Sequence, residues 1–190
     1  MAIQLLLVPL RAVGMARLAS KMRGDPKTTG NIQLGVKTNS KQIQKKLSSF
    51  QKVLPKIIDK GVKQAGFQLL EIIKTKTKKG IDIRGRKFAP YSSGYLRRLN
   101  REQRPTKVDL HYDGDMLRSL TPNTTVKKTG RHKISLAFSN AEQREKALYN
   151  QVLNDPKRVF FGFNKKTEKI INRSFNRFVQ KELKKFKIWV

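Results

Sequence analysis

The sequence predicts an α+β fold: one modest domain in which a long helix and a C-terminal helix flank a small antiparallel sheet. Apolar residues recur at spacings of three and four over residues 43–72 and again over 171–186, which is typical of amphipathic helices. Short stretches between these helices alternate apolar and polar residues, as half-buried strands do. A chain of 190 residues can bury one real core. We therefore expect a single domain over residues 40–190, preceded by an arm over residues 1–39.

The arm is predicted to be extended and buried or bound by a partner. Its start, "MAIQLLLVPLRAVGMARLAS", lacks the early positive charge of a signal peptide, and Pro9 and Arg11 interrupt its apolar run. No run reaches the ~18 apolar residues of a membrane span. Further on, "RGDPKTTGN" is typical of a loop, and the alternation of Ile32, Leu34 and Val36 predicts a short strand.

The first long helix is predicted to start at Ser40, a suitable N-cap, and to end near Gly80, which suits the left-handed position after a helix. Pro55 lacks a backbone donor and disfavours helical geometry at Leu54, so we expect a kink or a split there. Lysines occupy the face opposite the apolar stripe. The stripe consists of Ile43, Leu47, Phe50, Leu54, Ile58, Val62, Ala65, Leu69 and Ile72.

The middle of the chain is predicted to be irregular up to residue 106, with one or two helical turns in "SGYLRRLNRE". The alternation in "KVDLHY" predicts a strand with Val108, Leu110 and Tyr112 on its buried face. "DMLRSL" is a short helix candidate that "TPN" would end.

The last third of the chain alternates strands and helices. "NTTVKKTGRHKISLAF" predicts two strands about a turn at Thr129–Gly130, and "KRVFFGF" predicts a short aromatic strand. Asn140 is predicted to cap a helix within "NAEQREKALYNQVLND", and Asn164 to cap the C-terminal helix. The inward-facing residues would be Ile134, Leu136 and Phe138 of the second strand, with Ile171, Phe175, Phe178, Val179, Leu183 and Phe186 of the last helix.

The chain is strongly basic, with 43 Lys and Arg against 13 Asp and Glu and a formal net charge of +30 at pH 7. The excess is spread over every segment, so it is not a basic tail on a neutral domain. Solubility alone asks for a net charge of only ~2–8 in a small domain. The charge therefore predicts a polyanion close to the folded surface, nucleic acid above all, and binding that weakens steeply with salt.

Little in the sequence points to catalysis. The chain has no cysteine, which excludes disulfides, cysteine zinc sites and thiol nucleophiles. Its two histidines, His111 and His132, have no serine partner at triad-like positions. "GVKQAG" and "GIDIRG" lack the Lys-Ser/Thr ending of a phosphate-binding loop. We therefore expect that the protein is not an enzyme and that it has no catalytic residue, cofactor or metal.

One acidic cluster leaves two interpretations open. Asp109, Asp113 and Asp115 could bind a divalent cation together with His111, as in a metal-dependent nuclease. The favoured interpretation is local: Asp113-Gly114 is a turn dipeptide, and Asp115 stands where the N-cap of the short helix belongs.

A segment rich in arginine and aromatic residues follows the first long helix. Its aromatic residues, Phe88, Tyr91 and Tyr95, could stack bases, or they could pack the loop onto the core, which we favour. Its cations suit phosphate or carboxylate partners alike, so we expect them to contact DNA or an acidic protein. These cations are Arg84, Arg86, Lys87, Arg97, Arg98, Arg101 and Arg104.

Three segments in fixed order, "RGRKFAPYSSGYLRR", "VDLHYDGDMLRSL" and "RVFFGFNKKTEKIINRSF", resemble the phage virion-morphogenesis or tail-completion family. The resemblance covers about residues 40–185. One element departs from it: "EKALYNQVLND" stands where the family often has His-Gln-aromatic-Gly. The matching positions are Gly85, Phe88, Pro90, Tyr95, Leu110, Gly114, Asp115, Met116, Leu117, Ser119, Leu120, Arg158, Phe160, Phe161, Gly162 and Phe163.

The resemblance implies a structural virion protein of the head–tail neck, made in the host cytoplasm and assembled as a ring, commonly of six copies, around the DNA path. Its implied partners are the portal or connector, the tail proteins and genomic DNA, with no membrane. Copies of such a basic subunit repel one another, so assembly is expected to need a polyanionic or acidic neighbour. The alternatives are a stand-alone basic nucleic-acid-binding protein, a metal-dependent nuclease, and an amphipathic protein at a membrane surface.

Overall fold

The computed structural model describes residues 40–185 and confirms the α+β class. The predicted arm, its strand at 32–36 and Phe186 lie outside these residues. The elements are helices α1 (Ser40–Lys78), α2 (Ser93–Arg101), α3 (Asp115–Arg118) and α4 (Pro122–Thr125), strands β1 (Val126–Gly130) and β2 (Lys133–Leu136), helix α5 (Ala141–Leu148), a π-helical turn (Tyr149–Leu153) and helix α6 (Lys165–Lys184).

Helix α1 is continuous for 39 residues and contains Pro55, so of the two expected outcomes, a kink or a split, the split is excluded. The helix tolerates the missing hydrogen bond because the turns after Pro55, from Ile57 onward, are held in the core. Its end is as predicted. Gly80 has a φ of 73°, and Ile81 N donates to Lys76 O across the last turn.

The core lies between α1, α6 and the two-stranded sheet. Helix α6 runs antiparallel to α1: Lys76 Nζ lies 3.2 Å from Thr167 Oγ1, and the rings of Phe175 and Phe178 cover Gly61. On its other side α1 packs against the hairpin, where Gly66 lies under Ile134. The residues that are most deeply buried are Leu70, Thr77, Leu117, Leu120, Thr125, Leu136 and Phe160.

The hairpin turn lies at Arg131–His132 instead of the predicted Thr129–Gly130, since Gly130 pairs with Lys133. The reason is a contact from α1. The carboxylate of Asp59 accepts hydrogen bonds from the backbone N and the ring Nδ1 of His132 and from Lys128 Nζ. This carboxylate therefore fixes the turn on the helix.

Two predicted strands are wrong, because residues 107–112 and 157–163 have no partner strand: the sheet in the described chain consists of β1 and β2 alone. Leu110 has a φ of 56°, and Asp109 Oδ1 accepts from His111 N in a local turn. The segment 157–163 makes two backbone hydrogen bonds to other segments, from Ile83 N to Val159 O and from Arg158 N to Asn150 O, and neither belongs to a ladder. "TPN" also begins a helix instead of ending one, because Thr121 caps α4.

We expect Gly66→Ala to lower the free energy of unfolding by about 1–3 kcal/mol. A β-carbon at Gly66 would lie 2.3 Å from Ile134 Cδ1 and 2.8 Å from Val126 Cγ1, so the hairpin would have to move. Gly94→Ala in α2 is the control: its β-carbon meets nothing within 4 Å, and a gain of about 0.4–1 kcal/mol is expected. Urea denaturation compares the two, and equal effects would contradict the packing described.

We expect Asp59→Asn to destabilise the protein at pH 7 and the loss to shrink on acidification. The hydrogen bond from Lys128, with those from His132, lowers the pKa of Asp59 from 3.8 to about 2. Stability gained from a depressed carboxyl pKa is complete above the ordinary value and is lost as pH falls through the folded one. Denaturation of both proteins should therefore show a constant difference from pH 7 to about 4 that declines between about 4 and 2. A difference independent of pH would contradict this role.

Candidate functional site

All three motif segments contribute lining residues to one cleft of about 670 Å³, which we call the motif cleft. Its walls are the loop at residues 90–95, the segment 110–116, helix α5 with the π-helical turn, and Arg158. Segments nearly 70 residues apart in sequence therefore meet at one place. The lining includes six motif residues, Pro90, Tyr95, Leu110, Gly114, Asp115 and Met116, in addition to Arg158.

Arg158 joins the last motif segment to the first. It is only 4% exposed, and its Nε and Nη2 donate to Ala89 O at 3.3 Å and Pro90 O at 3.1 Å. Its guanidinium carbon also lies 5.0 Å from the centre of the Tyr91 ring. No carboxylate of the described chain pairs with it, so backbone carbonyls and a ring face hold this buried cation.

The middle motif segment turns at Gly114, whose φ is 80°. This left-handed backbone favours glycine, and a β-carbon there would also lie 2.5 Å from His111 Nε2, so the exposed histidine ring would have to move. Asp115 is the first residue of α3 and not its N-cap, a position that Gly114 occupies; its carboxylate accepts from Arg118. Met116, Leu117 and Leu120 are buried, and Ser119 Oγ donates to Met116 O at 2.8 Å.

The acidic cluster serves local contacts and not a shared ligand. Asp109 accepts from His111 N, Asp113 from Arg104 and Asp115 from Arg118. Within residues 40–185, no group of three or more His, Asp or Glu side chains could hold a metal ion. This geometry favours the interpretation that these carboxylates stabilise the local backbone.

Tyr112, predicted to be buried, is instead 37% exposed and lies at the centre of a polar network. The guanidinium of Arg104 stacks 4.0 Å from its ring centre, and its hydroxyl donates to Glu102 at 2.7 Å. Arg98 Nε donates to the same carboxylate at 2.8 Å, and these two hydrogen bonds, that of Arg98 first, lower the pKa of Glu102. The network fixes α2 against the middle motif.

The predicted contact cations thus fall into two groups. Arg98 and Arg104 belong to the Tyr112 network, and Arg86 Nε binds Asp82 at 3.2 Å. The remaining four have exposed side chains and no partner in the described chain. They are Arg84, Lys87, Arg97 and Arg101. Arg97 and Arg101 lie one turn apart on the same face of α2.

Of the aromatic residues of this segment, Phe88 packs onto the core as predicted, whereas Tyr91 and Tyr95 line the motif cleft. Phe88 is buried in the core, and Tyr91 meets Tyr95 edge-on with ring centres 4.8 Å apart. Burial raises the pKa of both tyrosines.

Gln151, a residue that the sequence did not single out, holds the last motif segment in place. Its side-chain amide donates to Phe161 O at 3.0 Å and accepts from Phe161 N at 2.9 Å, as a neighbouring strand would. The two rings of Phe160 and Phe161 pack on Phe138. Gly162, with a φ of 155°, lies beside Ile83. No local pattern marks a glutamine for this role, because its partner lies ten residues away.

No family model, curated protein or solved structure matches this chain. No helix in residues 40–185 is long and apolar enough to cross a membrane. The geometry itself offers an aromatic cleft, a set of free cations on α2 and its preceding loop, and carboxylates that are bound to neighbours. Such an arrangement can bind macromolecules.

We expect Arg158→Lys to lower the free energy of unfolding by about 1–3 kcal/mol, because one ammonium cannot replace the guanidinium that binds two carbonyls. Arg97→Lys is the matched control, with the same change at an exposed and unpaired position, and should stay within about 0.5 kcal/mol of the parent. Chemical denaturation measures both. Equal effects would show that Arg158 does not join the two motif segments.

Proposed function

We propose that the chain is a structural, non-enzymatic subunit of a tailed-phage neck that completes the tail or joins it to the head connector, as a ring around the DNA path. The observation that carries the proposal is the meeting of the three motif segments. Arg158 of the last segment binds the loop of the first, and Gly114 to Met116 of the middle segment line the same cleft. Motif segments that build one structural unit are expected to contact one another, and this contact supports the proposal.

The use of the carboxylates supports a structural role. Those of the middle motif bind arginine or backbone groups of their own neighbourhood and do not converge on a common point. A hydrolytic site would need carboxylates that face a substrate or share a metal. The motif is better explained as a way of building the subunit.

The four free cations supply the surface that the proposed neighbours need. Arg97 and Arg101 present two guanidinium groups on one helix face, and Arg84 and Lys87 extend the surface into the preceding loop. Each can pair with a phosphate of the passing DNA or with a carboxylate on a connector or tail protein. Contact with either would offset the repulsion between neighbouring subunits of a ring.

Deletion of the gene in the phage that encodes it tests the proposal. We expect DNA-filled heads and separate tails that do not join, with infectivity restored by the parent chain supplied from a plasmid. In complemented particles, an electron-dense label on the chain should lie at the head–tail junction. Complete, infectious particles without the chain, or a label elsewhere on the particle, would contradict the proposal.

Replacing both Arg97 and Arg101 by alanine should reduce the salt dependence of duplex DNA binding. Each lost phosphate contact lowers the slope of log K against log salt by about 0.9. The control replaces Lys127 and Lys133 of the hairpin by alanine, which removes the same charge from another exposed surface. Filter binding over a salt series should show the smaller slope for the α2 pair alone.

Equal slopes for the two double variants would mean that DNA binding does not depend on Arg97 and Arg101 of α2. Tight, stoichiometric binding by the monomer at physiological salt would instead favour the alternative of a stand-alone nucleic-acid-binding protein.

A further inference from the structure

The leading turns of α1, residues 41–49, extend beyond the part of the helix that the core holds. Helix α1 has 39 residues and its antiparallel neighbour α6 has 20, so their lengths differ by roughly 28 Å. The contact between Lys76 and Thr167 aligns the C-terminal end of α1 with the start of α6, which leaves the excess at the N-terminal end of α1. Residues 41–49 are all exposed, with Ile43 at 54% and Leu47 at 43%.

These leading turns have no means of stabilising themselves as a helix. They carry Lys41, Lys45 and Lys46, and no acidic residue precedes Asp59 in the described chain. Lys41 and Lys45 stand at i and i+4, where like charges destabilise a helix. Short isolated helices are marginal in water, and most helical stability comes from burying an apolar face. Burial of the stripe with Ile43 and Leu47 against another surface would therefore stabilise these turns.

The motif cleft has the complementary chemistry. Tyr149, 57% exposed, presents aromatic surface there, beside the Tyr112 ring on which Arg104 stacks. Cations outnumber carboxylates by 36 to 12 in residues 40–185, yet the cleft is lined by three carboxylates and two cations. The carboxylates are Asp113, Asp115 and Asp155, and the cations are Lys146 and Arg158. Asp113 and Asp115 already pair with Arg104 and Arg118, so the carboxylate of the lining that has no partner within the described residues is Asp155.

We propose that the leading turns of α1 of one subunit dock into the motif cleft of a second copy. The apolar stripe would meet Tyr149 while a lysine meets Asp155, as when an amphipathic helix binds in a groove. The cleft volume of about 670 Å³ is that of a site for a few side chains. Within one chain α1 packs on α6 and the hairpin, whereas α5 in the cleft wall packs on α3, so the two surfaces belong to different parts of the subunit.

This contact rests on the proposed function and supplies its subunit interface. Because the two surfaces differ, each copy offers one and receives the other, which is a head-to-tail contact that closes into a ring when the rotation allows. The same +30 charge that calls for a polyanion opposes this contact at low salt. At about 1 M salt the screening length falls to about 3 Å, and an apolar contact between isolated chains should persist.

The absence of cysteine from the chain permits a direct test with single-cysteine variants of the full chain. Leu47→Cys and Tyr149→Cys change exposed side chains, and the Tyr149 side chain makes no hydrogen bond in the described structure. The two variants are mixed in equal amounts at about 1 M salt and treated with a short bismaleimide. The yield of crosslinked dimer should be at least five-fold higher than that from either variant alone. Ser49→Cys, on the opposite side of the same helix, mixed with Tyr149→Cys is the control and should crosslink poorly.

Equal yields from the mixture, the control and the single variants would overturn the contact. So would the absence of any intermolecular product, as expected if residues of the same chain outside 40–185 cover the stripe or the cleft. Far-UV circular dichroism of each variant verifies that it is folded. The outcome is separable from that of the proposed function: a failed crosslink leaves the gene-deletion result standing, and a crosslink without a particle defect leaves the contact but not the neck role.

Discussion

The shortage of carboxylates is the constraint under which the rest of this structure is built. Residues 40–185 carry 36 Lys and Arg but 12 Asp and Glu, and nine of the twelve bind a cation or a backbone group of their own chain. Asp59 fixes the hairpin on α1, and Glu102 with Asp113 fixes α2 against the middle motif. Most carboxylates therefore hold elements of the fold together. Most of the cations that they do not pair with face outward.

The same shortage of carboxylates explains how a large basic residue is held in a buried position. Arg158 has no carboxylate partner in the described chain, and two carbonyls with the Tyr91 ring take that place. Backbone carbonyls are always present, so this solution draws on none of the few acidic groups. Arg158 joins the first and last motif segments next to the hydrogen bonds from Ile83 N to Val159 O and from Asn164 Nδ2 to Ile83 O, and it forms one wall of the cleft.

The sequence alone predicted the elements whose signals are local. Asn140 and Asn164 cap their helices as expected, since a cap needs only the first turn that follows it. The strands at 107–112 and 157–163 were not formed, because alternation describes a strand only when a neighbour is present to pair with it. The hairpin turn lies away from its predicted position because His132 binds Asp59, which is 73 residues away in sequence. Gln151 likewise accepts a hydrogen bond from Phe161 N, a contact that no local pattern marks. For the same reason, no pattern separates the arginines that bind neighbours from those that remain free.

The central claim is that the cationic charge suits this subunit to an assembly with polyanionic or acidic members. Sedimentation velocity of the isolated full chain at about 0.15 M salt, with and without a short DNA duplex, tests it most directly. With a screening length of ~8 Å, repulsion should keep the chain monomeric alone, and added duplex should produce one discrete larger species. A stable ring without any polyanion, or a monomer indifferent to DNA and acidic partners, would contradict the claim.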